Sequence, residues 1–359
     1  MRHSLSRFGV LIALAQLAAC SSKSSNPPPA QYPQQQYPQQ QYPQQPQQQY
    51  PQGQYPQQQY PQQQYPQQAP PVQQPPVASP APPVPGTTAL DPINSVNMTW
   101  LRQRAQQLLT ELVAALPADS QQRVQGIPLI YDDKPGEVNA FAACSKGRAL
   151  MAVTDEMLRI MGFLAQSQAN DERFGTRKVD ELIRYVAQNQ QPDRPLALPG
   201  AGFFDQQQQV DGQRVSRQHQ LFDEQLAFVL GHELAHHHLG HLPCTARPDA
   251  LGTADIARAL SDAVPVFNQP NELAADIAGT TNVLNAGKRS TQGYAYTENG
   301  GLLTMRFFGG LDNISVVQIL FDFEASHPAP QIRAPVIQQA AATWRFTGGQ
   351  GLPVFRLGG

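Results

Sequence analysis

The segment FVLGHELAHHHLGH, residues 228–241, contains five of the eight histidines of the chain around a single glutamate. His232 and His236 are four residues apart, so on a helix their imidazoles lie on one face and can bind the same metal ion. Glu233 lies about 100° further round the helix axis, beside such an ion, where its carboxylate can take a proton from water. The spacing H-E-x-x-H therefore predicts a hydrolytic zinc site.

The simplest alternative is a helix that displays histidines on the protein surface. Phe228, Val229 and Leu230 directly precede the motif and indicate a buried helix, in which unpaired histidines would be costly. His237 and His238 point away from the ligand face by roughly 100° and 200°. We therefore expect these two residues on the helix exterior, without a role at the metal.

A catalytic zinc ion needs a third protein ligand and keeps its fourth position for water. His241 is one candidate, but Gly240 and His241 follow His236 by four and five residues, whereas the extended H-E-x-x-H-x-x-G-x-x-H pattern requires three and six. Glu272, in the later segment NELAAD, is the ligand that we expect. Its alternative is a solvated glutamate at a helix start, stabilised by the helix dipole.

Asp276 lies one helical turn after Glu272, on the same face of its helix. It can accept the free N–H of a ligating histidine and so determine which ring nitrogen carries the proton. The alanines between the two acidic residues allow this helix to approach the first one closely.

In combination, these motifs resemble the gluzincin metallopeptidases of the HtpX and CAAX prenyl protease family, in particular its soluble, exported lipoprotein branch. H-E-L-A-H followed by E-L-A-A-D is similar to the family's two metal-binding segments, and VNAFAAC through LMAVTDEML resembles its Asn-Ala-Phe-Ala strand and the elements after it. His241 falls where the family often has a further histidine. SHPAPQIR, which contains His327 and Arg333, is similar to the family's Ser-His-Pro followed by an arginine. The resemblance covers roughly residues 98–342.

The resemblance implies a zinc-dependent endopeptidase that holds Zn²⁺ through His232, His236 and Glu272. Glu233 is then the general base and acid, and His327 donates to the oxyanion of the tetrahedral intermediate. Arg333 either assists His327 or braces the site. His327 has two further interpretations, as a residue that approaches the metal and blocks it at rest, or as a capping or core histidine before Pro328.

The family strand that borders the cleft corresponds to Asn139, Ala140 and Phe141. Its backbone groups would pair with an extended substrate, which favours unfolded or misassembled envelope proteins as substrates. Cys144 and Ser145 follow where the family usually has a proline and a glycine, so the local turn is expected to differ. The rival interpretation is a non-catalytic outer-membrane assembly factor that retains the zinc fold.

The N-terminus has the pattern of an export signal. Basic residues precede an apolar run that ends at residue 19 and is too short to span a membrane. The sequence LAAC, ending at Cys20, resembles the lipobox of bacterial lipoproteins, and Ser21 after it resembles the pattern of outer-membrane sorting. We expect a signal peptide over residues 1–19 and a periplasm-facing lipoprotein of a Gram-negative outer membrane; the alternative is an ordinary signal with an incidental cysteine.

Residues 20–91 are dominated by repeats of QYPQQ, and no charged residue or histidine occurs from Ser24 to Leu90. Such a composition cannot bury enough apolar surface to fold, so it predicts a disordered tether. A sticky, prion-like tract is the alternative. Its function would then lie in the tyrosines and glutamines rather than in spacing.

Export also bears on the cysteines that remain after lipidation of Cys20. Cys144 and Cys244 can pair in an oxidising periplasm, with two separate buried thiols as the alternative. The formal net charge of the chain is −2, without a basic stripe, so nothing predicts binding to nucleic acid.

Residues 92–359 show globular periodicity and are expected to form one α+β domain, mainly helical, of the zincin type with a small sheet. Short strands are predicted for the segments IPLIYDD, VNAFAAC and RALMAVT. Helices are predicted over residues 98–116, 154–164, 178–188, 221–239, 270–287, 315–324 and 329–342.

Overall fold

The computed structural model describes residues 90–191, 194–244, 269–314 and 327–350. All of them belong to one compact unit, Pro82–Gly359. The predicted signal peptide, Cys20, nearly all of the tether and the helix predicted over residues 315–324 lie outside the described residues.

Nine helices and three strands are present in the described ranges. The helices are α1 (Met98–Ala115), α2 (Ala118–Val124), α3 (Asp155–Phe174), α4 (Lys178–Asn189), α5 (Gln206–Gln209), α6 (Gly212–His238), α7 (Gln269–Arg289), α8 (Asn299–Ile314) and α9 (Pro330–Phe346). The strands are β1 (Leu129–Asp132), β2 (Ala140–Ser145) and β3 (Arg148–Thr154). The domain therefore has the expected α+β composition, mainly helical with a small sheet.

The sheet has the strand order β1-β3-β2, in which β3 pairs in parallel with β1 and antiparallel with β2. A tight hairpin joins β2 to β3, and its central residues Lys146 and Gly147 both have positive φ, 51° and 79°, as a type I′ turn requires. Since β3 occupies the centre, β2 is an edge strand among the strands that the structure describes.

Helix α6 runs through the middle of the domain and packs against α3, α7, α8, α1 and the sheet. It begins at Gly212, nine residues before the predicted start at Leu221, and the Asp211 side chain caps it by accepting from the Arg214 N–H. The early turns were not predicted because their sequence is polar. Arg214 is nevertheless buried, and its guanidinium donates to the side chain of Asn170 at 2.8 Å.

Helix α8 was not predicted, because its sequence NGGLLTMRFFGG contains four glycines and glycine disfavours helices. Packing explains them. A Cβ at Gly301 would lie 2.7 Å from the Phe228 ring, and a Cβ at Gly300 would overlap the backbone at Gln225. Gly300 and Gly301 therefore allow α8 to contact α6 directly.

Helix α3 continues ten residues beyond its predicted end at Leu164, to Phe174. Its second half is polar in sequence, but Ala165 and Ala169 keep a buried stripe. The helix ends where Gly175 adopts φ 67°, a left-handed conformation that glycine accepts without strain.

Asp91, one residue before the predicted start of the domain at residue 92, is attached to α6. The Asp91 carboxylate accepts hydrogen bonds from Gln218 at 2.6 Å and lies 2.6 Å from Nε2 of His219, both on α6. Within the described ranges, none of the helices is both long and apolar enough to cross a bilayer.

Glu224, in the middle of α6, is a buried carboxyl group without a cationic partner in hydrogen-bonding distance among the described residues. Its Oε1 accepts from the Thr297 backbone N–H at 3.1 Å and from the Thr297 hydroxyl at 2.9 Å. Burial raises the pKa of Glu224 from 4.5 to about 7, although the bonds from Thr297 and the charge of Arg217 lower it in part. The folded state therefore binds the proton of Glu224 more tightly than the unfolded state does.

Below pH 4.5, the pKa of Glu224 in the unfolded state, this difference does not lower the free energy of unfolding. As the pH rises from 4.5 to about 7, the pKa in the folded state, the difference destabilises the fold by about 3 kcal/mol in total. Glu224→Gln removes the charge and keeps an acceptor for Thr297. We expect the stability of the variant relative to wild type to increase by about that amount between pH 4.5 and pH 8. Urea unfolding of both metal-free proteins at the two pH values measures it. A difference that does not change with pH would contradict the assignment.

Candidate metal centre

Four side chains converge where α6, α7 and the start of α9 meet: His232, His236, Glu272 and His327. One ligand atom from each lies within 4.8 Å of the others. Nε2 of His232 is 3.3 Å from Oε2 of Glu272, and Nε2 of His236 is 3.4 Å from Oε1 of the same carboxylate. The two Nε2 atoms are 3.1 Å apart.

The arrangement follows from two helices. His232 and His236 occupy successive turns of α6, and Glu272 lies in the first turn of α7, which packs along α6. Both carboxylate oxygens of Glu272 are buried and have no hydrogen-bond partner among the described residues. A buried carboxylate that faces two imidazole nitrogens in this way is a donor set that fits a tetrahedral divalent metal.

The other ring nitrogen of His232 faces a second group of side chains. Its Nδ1 lies 2.9 Å from Oδ1 of Asp276, the partner expected from the sequence. Arg333 donates to the two oxygens of Asp276 at 2.7 and 3.0 Å, and its Nη2 lies 3.2 Å from Nδ1 of His232. Since Arg333 is fully buried behind His232, its position favours bracing of the site over contact with a substrate.

These contacts determine the charges at the centre in the absence of metal. Burial and the Arg333 cation lower the pKa of His232, but Asp276 and Glu272 raise it to about 9. Burial raises the pKa of Asp276, while Arg333 and His232 lower it well below its usual range. Burial and the neighbouring His232 lower the pKa of His236, which therefore stays neutral. A bound metal would replace the proton on His232.

Glu233 and His327 lie on the remaining side of this group. Both carboxylate oxygens of Glu233 are buried and have no hydrogen-bond partner among the described residues. Nε2 of His327 lies 3.5 Å from Oε1 of Glu233 and 3.6 Å from Oε2 of Glu272. His327 is thus within reach of Glu233 and of the metal group, a position that suits an oxyanion donor and a resting ligand equally.

His237 and His238 were expected on the helix exterior, and this expectation is wrong. Both are buried, and Nε2 of His237 lies 2.9 Å from the carbonyl oxygen of Leu150 in β3. The reason is that other elements cover α6 on several sides. A side chain that points away from the metal face is therefore still buried. Neither residue belongs to the metal group.

The predicted substrate strand is the edge strand β2, which contains Ala140 and Phe141 and directly follows Asn139. The Asn139 N–H donates to the Thr154 hydroxyl at 3.0 Å. A disulfide joins Cys144 in β2 to Cys244, which follows α6, with 5.5 Å between their Cα atoms. The edge strand is therefore covalently connected to the segment that directly follows the helix of His232 and His236.

Two glycines at the crossing of α6 and α7 were not recognised as part of the site. A Cβ at Gly279 would lie 2.9 Å from the backbone nitrogen of His232, and one at Gly231 would lie 3.3 Å from the carbonyl oxygen of Gly279. The sequence pointed only to the alanines of α7, of which Ala275 is buried. The glycines bring the two backbones close enough for Glu272 to reach the histidines.

Gly279→Ala is therefore expected to separate α7 from α6 and to weaken metal binding by about tenfold or more, since overpacking a core costs about 1–3 kcal/mol. Metal affinity and the thermal midpoint measure the effect. Gly212→Ala, at the start of α6, is the matched control, because an added Cβ there meets nothing within 4 Å. Equal metal affinity in the two variants would contradict the role assigned to Gly279.

The model of peptidase family M48 matches residues 99–341. No curated protein and no solved structure matches the chain. The matched stretch is more than half of the chain and includes the whole metal group and Glu233. The chain therefore belongs to peptidase family M48, a family of metallopeptidases.

Proposed function

We propose that this protein is a zinc-dependent endopeptidase that cleaves misfolded or misassembled proteins of the cell envelope. The observation that carries the proposal is the buried convergence of His232, His236 and Glu272 with the carboxylate of Glu233 beside them. Two imidazoles and one carboxylate are the ligand set of many hydrolytic zinc sites.

Zinc held by these three side chains would supply a Lewis acid that polarises the scissile carbonyl and acidifies the attacking water. Glu233 takes the proton from that water and passes it to the leaving amine. His327, 3.5 Å from Glu233, is placed to donate a hydrogen bond to the oxygen that becomes negative. Asp276 and Arg333 keep the ring of His232 in its orientation during the reaction.

The edge strand β2 supports an extended polypeptide as substrate. A strand with one unpaired edge can add a further strand through main-chain hydrogen bonds, which depend little on side-chain identity. Such pairing requires a substrate segment without structure of its own. This requirement favours unfolded and misassembled proteins over compact ones.

The N-terminal sequence supports a location at the outer membrane. Cys20 ends the lipobox-like LAAC, and residues 20–91 have the composition of a tether. A lipid on Cys20 would hold the peptidase at the outer membrane and let it reach substrates at a distance. In a membrane fractionation, Cys20→Ala should release the protein from the membrane, whereas retention would contradict lipid anchoring.

The test of function uses the full chain with casein, and with a second protein offered both folded and unfolded. We expect cleavage of casein and of the unfolded form, loss of cleavage after removal of metal with a chelator, and recovery with Zn²⁺. Cleavage that survives complete metal removal would overturn the proposal. A zinc-loaded protein that binds unfolded chains without cleaving them would instead support the assembly-factor interpretation.

A further inference from the structure

Helix α6 ends in a motif that folds the chain back on one of the ligands. Gly240 has φ 80°, its N–H donates to the carbonyl of His237 at 3.2 Å, and the N–H of His241 donates to the carbonyl of His236 at 2.9 Å. These two bonds define the Schellman motif, in which the residue after the glycine packs over the residue five positions earlier. That contact is usually apolar, but here both residues are histidines.

The side chains of these two histidines meet through their ring nitrogens. Nδ1 of His241 lies 3.0 Å from Nδ1 of His236. The opposite nitrogen of His236, Nε2, is the atom that faces His232 and Glu272 at 3.1 and 3.4 Å. His236 therefore turns one nitrogen to the metal group and the other to His241.

We propose that His241 is a positioning residue that determines the tautomer and ring orientation of His236 as a metal ligand. Metal binding through Nε2 requires a lone pair on that atom, which places the single ring proton on Nδ1. The two Nδ1 atoms are 3.0 Å apart, which leaves room for one hydrogen between them. Nδ1 of His236 therefore donates a hydrogen bond to Nδ1 of His241, and His241 carries its own proton on Nε2. The inference rests on the proposed metal site and assigns this role to a residue outside the ligand set.

The two ligands then have partners of different charge. His232 faces the carboxylate of Asp276, whereas His236 faces a neutral imidazole. A neutral acceptor orients the ring without adding a second negative charge next to Glu272. Because the backbone of the Schellman motif holds His241 at the end of α6, the acceptor does not depend on a neighbouring helix.

The test compares three full-length proteins: wild type, His241→Asn and His241→Phe. Asn presents an acceptor oxygen close to the position of Nδ1, whereas Phe keeps the ring shape without any acceptor. We expect the Phe variant to bind Zn²⁺ about 10- to 100-fold more weakly in competition with a chelator, and to change the visible absorption spectrum of bound Co²⁺. The Asn variant should stay close to wild type in both measurements.

A role limited to folding would instead lower the thermal midpoint of the metal-free protein, which we expect to agree within about 3 °C among the three. If the Phe variant does not fold, His241→Ala replaces it with the same expectation. Wild-type Zn²⁺ affinity in the Phe or Ala variant, or equal losses in the Asn and Phe variants, would overturn the proposal. Failure of wild type itself to bind Zn²⁺ would overturn the proposed function as well, so the two failures are distinguishable.

Discussion

Glu233→Gln is expected to lower kcat for peptide hydrolysis by at least about 100-fold, since general base and acid catalysis contributes about 10²- to 10⁴-fold. The amide keeps the size of the side chain but cannot take a proton from water. Glu233 lies beside the metal group and is not one of its members, so the variant should retain its metal. Initial rates on an unfolded substrate and the metal content of the same preparation measure both effects.

Glu224→Gln is the matched control for this experiment. It makes the same chemical change in the same helix, at a residue that contacts Thr297 at the start of α8. Its hydrolytic rate should equal that of wild type. Activity of Glu233→Gln within tenfold of wild type would contradict the role of Glu233 as the base.

Glu272→Ala is expected to abolish hydrolysis by removing the metal. Loss of a residue that only orients a ligand weakens metal binding about 10- to 100-fold, so loss of a ligand should weaken it by more than about 100-fold. Of the metal group, the three histidines His232, His236 and His327 would remain, without a carboxylate. Elemental analysis after dialysis against a weak chelator measures the loss.

The two variants together separate ligand from base, because Glu233→Gln keeps the metal and Glu272→Ala does not. Glu272→Ala with a full complement of tightly bound zinc would contradict the ligand assignment. His327 would then be the third ligand, since it is the fourth member of the group. The double variant Glu272→Ala, His327→Ala would decide that case.

Much of the fold was predictable where apolar residues recur with the period of a helix or a strand. The strands β1 to β3 and the helices α1, α4 and α7 lie close to the predicted segments. Two of the misses share a cause: α8 contains glycines, and the first turns of α6 are polar. In both cases tertiary contacts decided the structure, at Gly301 against Phe228 and around the buried Arg214.

The spacing of residues along the chain was enough to predict the relations that act along one helix. His232 and His236 share a face because they are four residues apart, and Glu272 and Asp276 share one for the same reason. Residue chemistry at that spacing also indicated a metal, a base and an orienting carboxylate. These conclusions needed only the regular geometry of the α-helix.

The tertiary structure decided how far apart those faces lie and what surrounds them. The approach of Gly279 to the backbone of His232, the burial of His237 and the turn of Arg333 toward Asp276 depend on residues distant in the chain. Helical periodicity gives a direction around one axis, but it contains no information about the separation of two axes. That separation follows from the packing of all side chains between them.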